Sequence, residues 1–140
     1  MIKFNQLFIF SIFLASSILT GTSCKKQTTD PKEDTTVLRK IQFSLYTNSD
    51  LSEDNNNISF TVLVEDLQNH VLWDSALAPM KIKDIPDLAH KLFIEKTVTD
   101  DGSQILKVGF NYSIENVGYS WFYDTCSAGE TFKKVDFNFQ

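Results

Sequence analysis

Cysteine and histidine are scarce in this sequence, with only two of each among 140 residues. A nucleophilic cysteine needs a nearby base, and the only imidazoles belong to His70 and His90. The familiar catalytic patterns are also missing, since there is no glycine-rich phosphate loop, no G-x-S-x-G and no H-E-x-x-H. We therefore expect a protein that is not an enzyme and that uses no cofactor.

Positive charge is scarce too, because 13 Lys and Arg stand against 18 Asp and Glu, for a net charge of −5. The basic residues are scattered, so they form no patch for the phosphates of a nucleic acid or for anionic lipid head groups. We expect no nucleic-acid partner. Any attachment to a membrane must therefore depend on something other than charge.

Long apolar runs are limited to one, LFIFSIFLASSIL from Leu7 to Leu19, which follows the basic Lys3. A transmembrane helix needs about 20 apolar residues, so this shorter run is more typical of the central part of a secretory signal. We predict that residues 1–23 are a signal peptide, with an uncleaved anchor helix as the alternative. Cleavage would remove only Lys3 among the charged residues, leaving 12 basic and 18 acidic ones.

Small residues stand directly before a cysteine in Gly21-Thr22-Ser23-Cys24. This stretch resembles the lipobox of bacterial lipoproteins in its looser Bacteroidota form, although Gly21 stands where a bulky aliphatic residue is usual. The resemblance implies that Cys24 carries acyl chains such as palmitate and becomes the first residue of the mature protein. Two acyl chains are enough for stable anchoring. Because Lys25 rather than aspartate follows Cys24, the resemblance also implies an outer-membrane location in the cell envelope. Both the periplasmic face and the surface face stay open as alternatives.

The chain after Cys24 changes character at residue 37. Residues 24–36 have too few apolar groups to fold, which predicts a disordered tether. Over residues 37–140, apolar and polar residues alternate with a period of two, as in strands with one buried face. We predict an all-β domain, a single seven- to eight-stranded antiparallel β-sandwich of immunoglobulin-like or transthyretin-like type. A small open barrel is the alternative. The strongest predicted buried positions are Ile41, Phe43, Leu45, Ile58, Phe60, Val62, Val64, Leu106, Val108, Phe110, Tyr112, Ile114, Val135, Phe137 and Phe139.

Turn residues separate these strands. The stretch Asp100-Asp101-Gly102 is the strongest hairpin signal in the chain. The segment DIPDLAH around Pro86 is predicted to hold a single helical or 3₁₀ turn, with Asp87 as its N-cap.

Tyr119, Trp121 and Tyr123 form an aromatic row at strand spacing. If the row is exposed, it is a candidate ligand face on which a sugar or a peptide can stack. If it faces the core, it is packing. The opposite side of the strand offers only Phe122 among polar residues, so the pattern favours packing.

An acidic loop holds the candidate metal ligands Asp50, Glu53 and Asp54, because calcium prefers oxygen donors of this kind. Their spacing does not match the D-x-[DN]-x-[DN]-G loop, which needs a glycine at its sharp bend. A solvated loop is therefore the favoured interpretation, and a calcium site is the alternative.

The remaining candidates are single residues. Cys126 is interpreted as a small, partly buried thiol on a loop; a disulfide with Cys24 and a catalytic pair with a histidine are the alternatives. Asp74-Ser75-Ala76 and Asp34-Thr35-Thr36 resemble the short O-glycosylation sites of Bacteroidota proteins, which makes Ser75 and Thr35 candidate acceptors.

Together these features predict an envelope lipoprotein held in the membrane by its N-terminal lipid. Its sandwich is predicted to be a non-catalytic binding or assembly module whose partner is another envelope protein or a glycan. The alternative function is a small carbohydrate- or calcium-binding domain in surface glycan handling.

Overall fold

A computed structural model describes residues 36–140 of the chain. Several predictions fall outside the described residues, namely the signal peptide, the lipidation of Cys24, the disordered tether as far as residue 35 and the candidate acceptor Thr35. Within residues 36–140 there is no helix long and apolar enough to cross a bilayer.

The described residues form eight strands and one short 3₁₀ helix, Ile82–Asp84. The strands are β1 Val37–Thr47, β2 Asn57–Asp66, β3 Val71–Ala76, β4 Met80–Lys81, β5 Leu92–Asp100, β6 Leu106–Ile114, β7 Gly118–Cys126 and β8 Phe132–Phe139. The 3₁₀ helix therefore ends at Asp84, the first residue of the DIPDLAH segment, and does not lie around Pro86, where it was predicted. Asp87 instead closes a tight turn, in which its Oδ1 accepts hydrogen bonds from the backbone of Ala89 and His90, both at 2.9 Å.

The strands form two sheets, which confirms the predicted all-β sandwich. The smaller sheet has the order β5-β1-β8, and the larger sheet has the order β3-β2-β6-β7, with β4 paired to β2. One pair departs from the antiparallel prediction, because β1 and β8 run parallel from Lys40 opposite Phe132 to Thr47 opposite Phe139. Strands β1 and β8 are the first and last of the described strands, so no short turn connects them. Their parallel pairing therefore leaves no local signal in the sequence.

The core between the sheets contains the apolar residues that the alternation predicts. The side chains of Phe43, Phe60 and Phe110 are at most 1% exposed. Phe110 meets the ring of Phe43 edge-on, with the centroids 5.8 Å apart, and lies 5.3 Å from that of Phe137. Aromatic rings at these separations add stability beyond the area that they bury.

The Asp100–Gly102 turn does not close a hairpin, so that prediction is wrong. Strand β5 belongs to the smaller sheet and β6 to the larger one, and the turn carries the chain from one sheet to the other. Gly102 has a φ of 73°, and its N–H donates to Asp100 Oδ1 at 2.8 Å. The turn chemistry was identified correctly, but it does not determine which sheet the next strand joins.

Arg39 on β1 fastens two of the connections between the sheets. Its side chain is fully buried, and its Nε donates to Asp100 Oδ1 at 3.0 Å. Its other nitrogens donate to the carbonyls of Gln104 at 2.8 Å and Ser127 at 3.2 Å. Because a buried charge needs partners of this kind, the guanidinium holds the β5–β6 and β7–β8 connections together.

Candidate ligand-binding face

The aromatic row lies on the outer face of the larger sheet, so the favoured packing interpretation is wrong. Tyr119 is 88% exposed and Trp121 is 67% exposed. The register explains this orientation, because Phe122 stands opposite Phe110 of β6 and points with it into the core. There the ring of Phe122 stacks on that of Phe137, with the centroids 4.6 Å apart and the planes at 7°.

The third member of the row, Tyr123, is held against the sheet. It stands opposite Gly109, where a Cβ atom would lie 2.9 Å from the Cδ1 atom of Tyr123. The missing side chain at Gly109 therefore lets the ring approach the backbone of β6. Its hydroxyl donates to Asn111 Oδ1 at 2.6 Å, and Lys107 Nζ lies 4.8 Å from the ring centroid. Tyr123 is thus a fixed part of the face, while Tyr119 and Trp121 project from it.

A groove of about 310 Å³ is lined by Tyr119, and Trp121 stands next to it on β7, opposite the lining residue Asn111. Strand pairing builds it, because Ser59, Ser113 and Tyr119 form one row across three strands. Thr61, Asn111 and Trp121 form the next row. The lining residues are Ser59, Thr61, Asn111, Tyr112, Ser113 and Tyr119. The groove thus has a polar floor and an aromatic side.

The floor offers hydrogen-bonding groups without charge. Among the described residues, no hydrogen bond occupies the hydroxyls of Ser59, Thr61 or Ser113. Asn111 uses its Oδ1 to accept from Tyr123, so the Nδ2 group is left with donors that have no partner within residues 36–140. These groups can pair with hydroxyls of a bound molecule in place of water.

The acidic loop does not assemble a cluster of carboxylates. Asp50 Oδ1 accepts from the backbone N–H of Ser52 at 3.1 Å, and Asp54 Oδ1 accepts from that of Asn56 at 3.0 Å. Hydrogen bonding from Ser52 lowers the pKa of Asp50, and burial opposes the change. Within residues 36–140, no three His, Cys, Asp or Glu side chains come together to hold a metal ion. Calcium binding by Asp50, Glu53 and Asp54 therefore has no geometric support from this loop.

Cys126 is the last residue of β7 and is completely buried, so its interpretation as a partly buried thiol on a loop is wrong. Its thiol is free, and Cys24, the partner in the alternative disulfide, lies outside the described residues. Burial raises the pKa of the thiol, which keeps it protonated and weakly nucleophilic. Neither imidazole is hydrogen-bonded to it within the described part of the chain. His70 Nδ1 pairs instead with Asp66 Oδ2 at 2.7 Å, and His90 Nδ1 pairs with Asp87 Oδ1 at 2.8 Å.

The candidate acceptor Ser75 lies on β3, an edge strand of the larger sheet, and is partly buried. Its neighbours Asp74 and Ala76 are exposed. Glycosylation at Ser75 and at Thr35 stays a prediction.

Sequence reasoning missed the groove, although its residues were visible. Ser59 and Thr61 occupy the polar positions of β2, and Asn111 and Ser113 occupy those of β6. Alternation shows that these side chains lie opposite a buried face. It does not show that β2 and β6 are neighbours or that β7 adds an aromatic side, because strand order depends on pairs far apart in the chain.

Compared with known proteins, the chain matches no protein-family model, no curated protein and no solved structure.

Proposed function

We propose that the protein is an envelope lipoprotein, anchored in the outer membrane through Cys24, whose sandwich is a non-catalytic binding module. The observation that supports the binding role is the exposure of Tyr119 and Trp121 on the outer face of the larger sheet. Tyrosine and tryptophan are enriched among the residues that contribute most to binding energy. A sheet that presents both beside a groove is suited to hold a ligand.

The non-catalytic part of the proposal is supported by the surroundings of Cys126, the candidate nucleophile. The buried thiol of Cys126 contacts Arg39 Nη1 at 3.9 Å and the carbonyl of Glu130 at 3.7 Å. Within residues 36–140, no imidazole is hydrogen-bonded to this thiol as a general base, and its complete burial leaves no open approach for a substrate.

The strand order supports the transthyretin-like alternative over the immunoglobulin-like one. In an immunoglobulin constant-type sandwich, the first two strands lie in the same sheet. Here β1 lies in the smaller sheet and β2 in the larger one. We therefore propose a transthyretin-like topology, although such a fold does not identify a function by itself.

Labelling with palmitate tests the anchor. Cells that express the full chain are expected to incorporate labelled palmitate into it, and the Cys24→Ala variant is expected to lose the label. Cys126→Ala is the matched control, because it removes the other cysteine and should keep the label. Label that persists in Cys24→Ala would rule out lipidation at this residue.

Membrane fractionation tests the location. The wild-type protein should be found with outer-membrane markers on a density gradient, and Cys24→Ala should leave the membrane fraction. Protease treatment of intact cells then distinguishes the surface from the periplasmic face.

A further inference from the structure

We infer that the groove beside Tyr119 and Trp121 binds a neutral glycan. The inference rests on the proposed function, since it names the ligand class of the binding module. A sugar ring has two kinds of surface, namely apolar C–H faces and a rim of hydroxyls. The groove offers an aromatic side for the first and a neutral polar floor for the second.

The aromatic side fits a ligand with more than one ring. Tyr119 and Trp121 stand two residues apart on the same face of β7, which places their Cα atoms about 7 Å apart. Both rings project into solvent, so both can be covered by a bound molecule. Successive sugar units can therefore lie along the strand, one against each ring.

The floor selects against charged ligands. Its hydroxyls and its amide carry no net charge, and none of the groove's described lining residues is ionisable apart from the tyrosines. The cation on the same face of β6, Lys107, is already occupied, since it donates to Asn69 Oδ1 at 2.8 Å and pairs with Glu65. An acidic glycan or a phosphate would lose its hydration without gaining a charged partner.

The geometry favours a glycan over an extended peptide. A peptide that adds to a sheet pairs with the free backbone groups of an edge strand. The floor lies on the face of β2 and β6, whose backbones are already paired on both sides. Strand β7, which carries Tyr119 and Trp121, is an edge strand, but its free backbone groups point along the plane of the sheet and not into a groove on its face. The floor therefore offers side-chain groups and not backbone groups.

Tyr123 acts as a positioning residue for the floor. Its hydroxyl donates to Asn111 Oδ1, which fixes the amide so that Nδ2 is available to the groove. A ligand hydroxyl would then meet a preoriented donor, and preorientation lowers the cost of binding.

Affinity electrophoresis of the full chain in detergent tests the inference directly. The probes are starch, xylan and glucomannan as neutral polysaccharides, with polygalacturonate as the acidic one. At least one neutral polysaccharide is expected to retard the protein, and polygalacturonate is not. Tyr119→Ala and Trp121→Ala should each weaken the retardation about tenfold or more, as expected for central aromatic contacts.

Phe93→Ala is the matched control, because Phe93 is an aromatic residue that is 59% exposed on β5 of the other sheet. Its affinity should equal that of the wild type. Tyr123→Phe keeps the ring over Gly109 and removes only the hydroxyl, so a loss of about threefold is expected, as for one weakened hydrogen bond. Tyr123→Phe with wild-type affinity would show that Tyr123 does not position the amide.

The outcomes separate the ligand class from the proposed function. Retardation by a neutral polysaccharide that is lost in Trp121→Ala supports the inference. No retardation by any neutral polysaccharide overturns it. If no polysaccharide retards the protein, photo-crosslinking in whole cells with the Trp121→p-benzoylphenylalanine variant is the next measurement. A covalent adduct with another protein would support the binding module, with a protein partner in place of the glycan. The absence of both results would overturn the binding module as well, whatever the palmitate result.

Discussion

The outer faces of the two sheets differ in how their polar groups are used. On the smaller sheet, Lys40 pairs with Glu95 at 2.9 Å and Lys134 pairs with Asp136 at 3.0 Å. On the larger sheet, the groove beside Tyr119 and Trp121 contains neutral groups that have no partner among the described residues. The charged groups named on the smaller sheet pair with one another, whereas the neutral groups of the groove on the larger sheet can still form hydrogen bonds with a ligand.

The tyrosines of the two outer faces also differ, although Phe93 and Phe132 are exposed on the smaller sheet as well. On the smaller sheet, the ring of Tyr46 is covered by Lys91 Nζ at 3.7 Å from its centroid. In the aromatic row on the outer face of the larger sheet, a lysine covers Tyr123, and the rings of Tyr119 and Trp121 project freely. The difference indicates that exposure of an aromatic residue suggests binding only where neighbouring side chains leave both the ring and the adjacent polar groups unoccupied.

The largest expected effect concerns the core beneath both faces. Phe110→Ala should lower the free energy of unfolding by about 3–5 kcal/mol, because it removes a fully buried ring and leaves a cavity. Urea unfolding followed by circular dichroism measures the change. The matched control is Phe93→Ala on the outer face of the smaller sheet, which should stay within about 0.5 kcal/mol of the wild type. Equal losses in the two variants would contradict the separation of core and face.

A smaller effect is expected where Tyr123 meets the larger sheet. In Gly109→Ala, the new Cβ would lie 2.0 Å from the carbonyl oxygen of Phe122, so β6 and β7 must move apart. Overpacking of this kind costs about 1–3 kcal/mol. Ser113→Ala on the same face of β6 is the control and should change stability by less than about 0.5 kcal/mol. Wild-type stability in Gly109→Ala would show that the close approach is not needed.

The charged outer face of the smaller sheet should contribute to the response of the protein to acid, as should carboxylates elsewhere whose pKa is lowered. Hydrogen bonding from Ser44, and then from Lys134, lowers the pKa of Asp136, while burial opposes the change. Asp124 lies on β7 of the larger sheet, and burial raises its pKa, but the hydrogen bonds from Lys133 and the backbone of Thr125, together with the charge of Lys133, outweigh burial, so the net shift is downward. A lowered folded-state pKa gives stability that is present above the usual carboxyl pKa and is lost as the pH falls through the folded value.

The melting temperature should therefore fall between about pH 5 and pH 2, around the usual carboxyl pKa. Asp136→Asn should lower the free energy of unfolding at neutral pH by about 0.2–1 kcal/mol, because an exposed ion pair is well screened. The variant should also respond less to acid, whereas the same acid response in both proteins would exclude a contribution from Asp136.

The smallest expected effect on stability concerns the ligand face. Trp121→Ala should change the free energy of unfolding by less than about 0.5 kcal/mol, since 67% of the residue is exposed. Thermal unfolding followed by circular dichroism measures this. A large loss would mean that Trp121 supports the sheet and is not reserved for a ligand.

The strands with one clearly apolar face could be predicted from the sequence. Ile41, Phe43 and Leu45 on β1 are all fully buried, as their alternation predicts. The prediction failed on β7, where both faces carry aromatic residues and bulk alone favoured burying three rings rather than one. The register between β6 and β7 decides which face of β7 is buried, because it places Phe122 opposite the buried Phe110. The sequence of β7 alone does not contain this pairing.

Long-range pairing limited the site prediction in the same way. Tyr119 and Trp121 were identified as a candidate ligand face, but their polar neighbours come from β2 and β6. Turn residues such as Gly102 marked the ends of strands correctly without showing that the chain changes sheets. Local signals thus predicted the elements, while the neighbours of each element required the structure.

The place of β1 in the smaller sheet has a mechanical consequence. It is the central strand, paired on one side with β5 and on the other with β8, and Arg39 lies near its beginning. A pulling force applied through the preceding residues, as on a chain held at Cys24, would load β1 along its axis. Both ladders and the Arg39 contacts would then have to shear together, a geometry that resists force better than peeling one bond at a time.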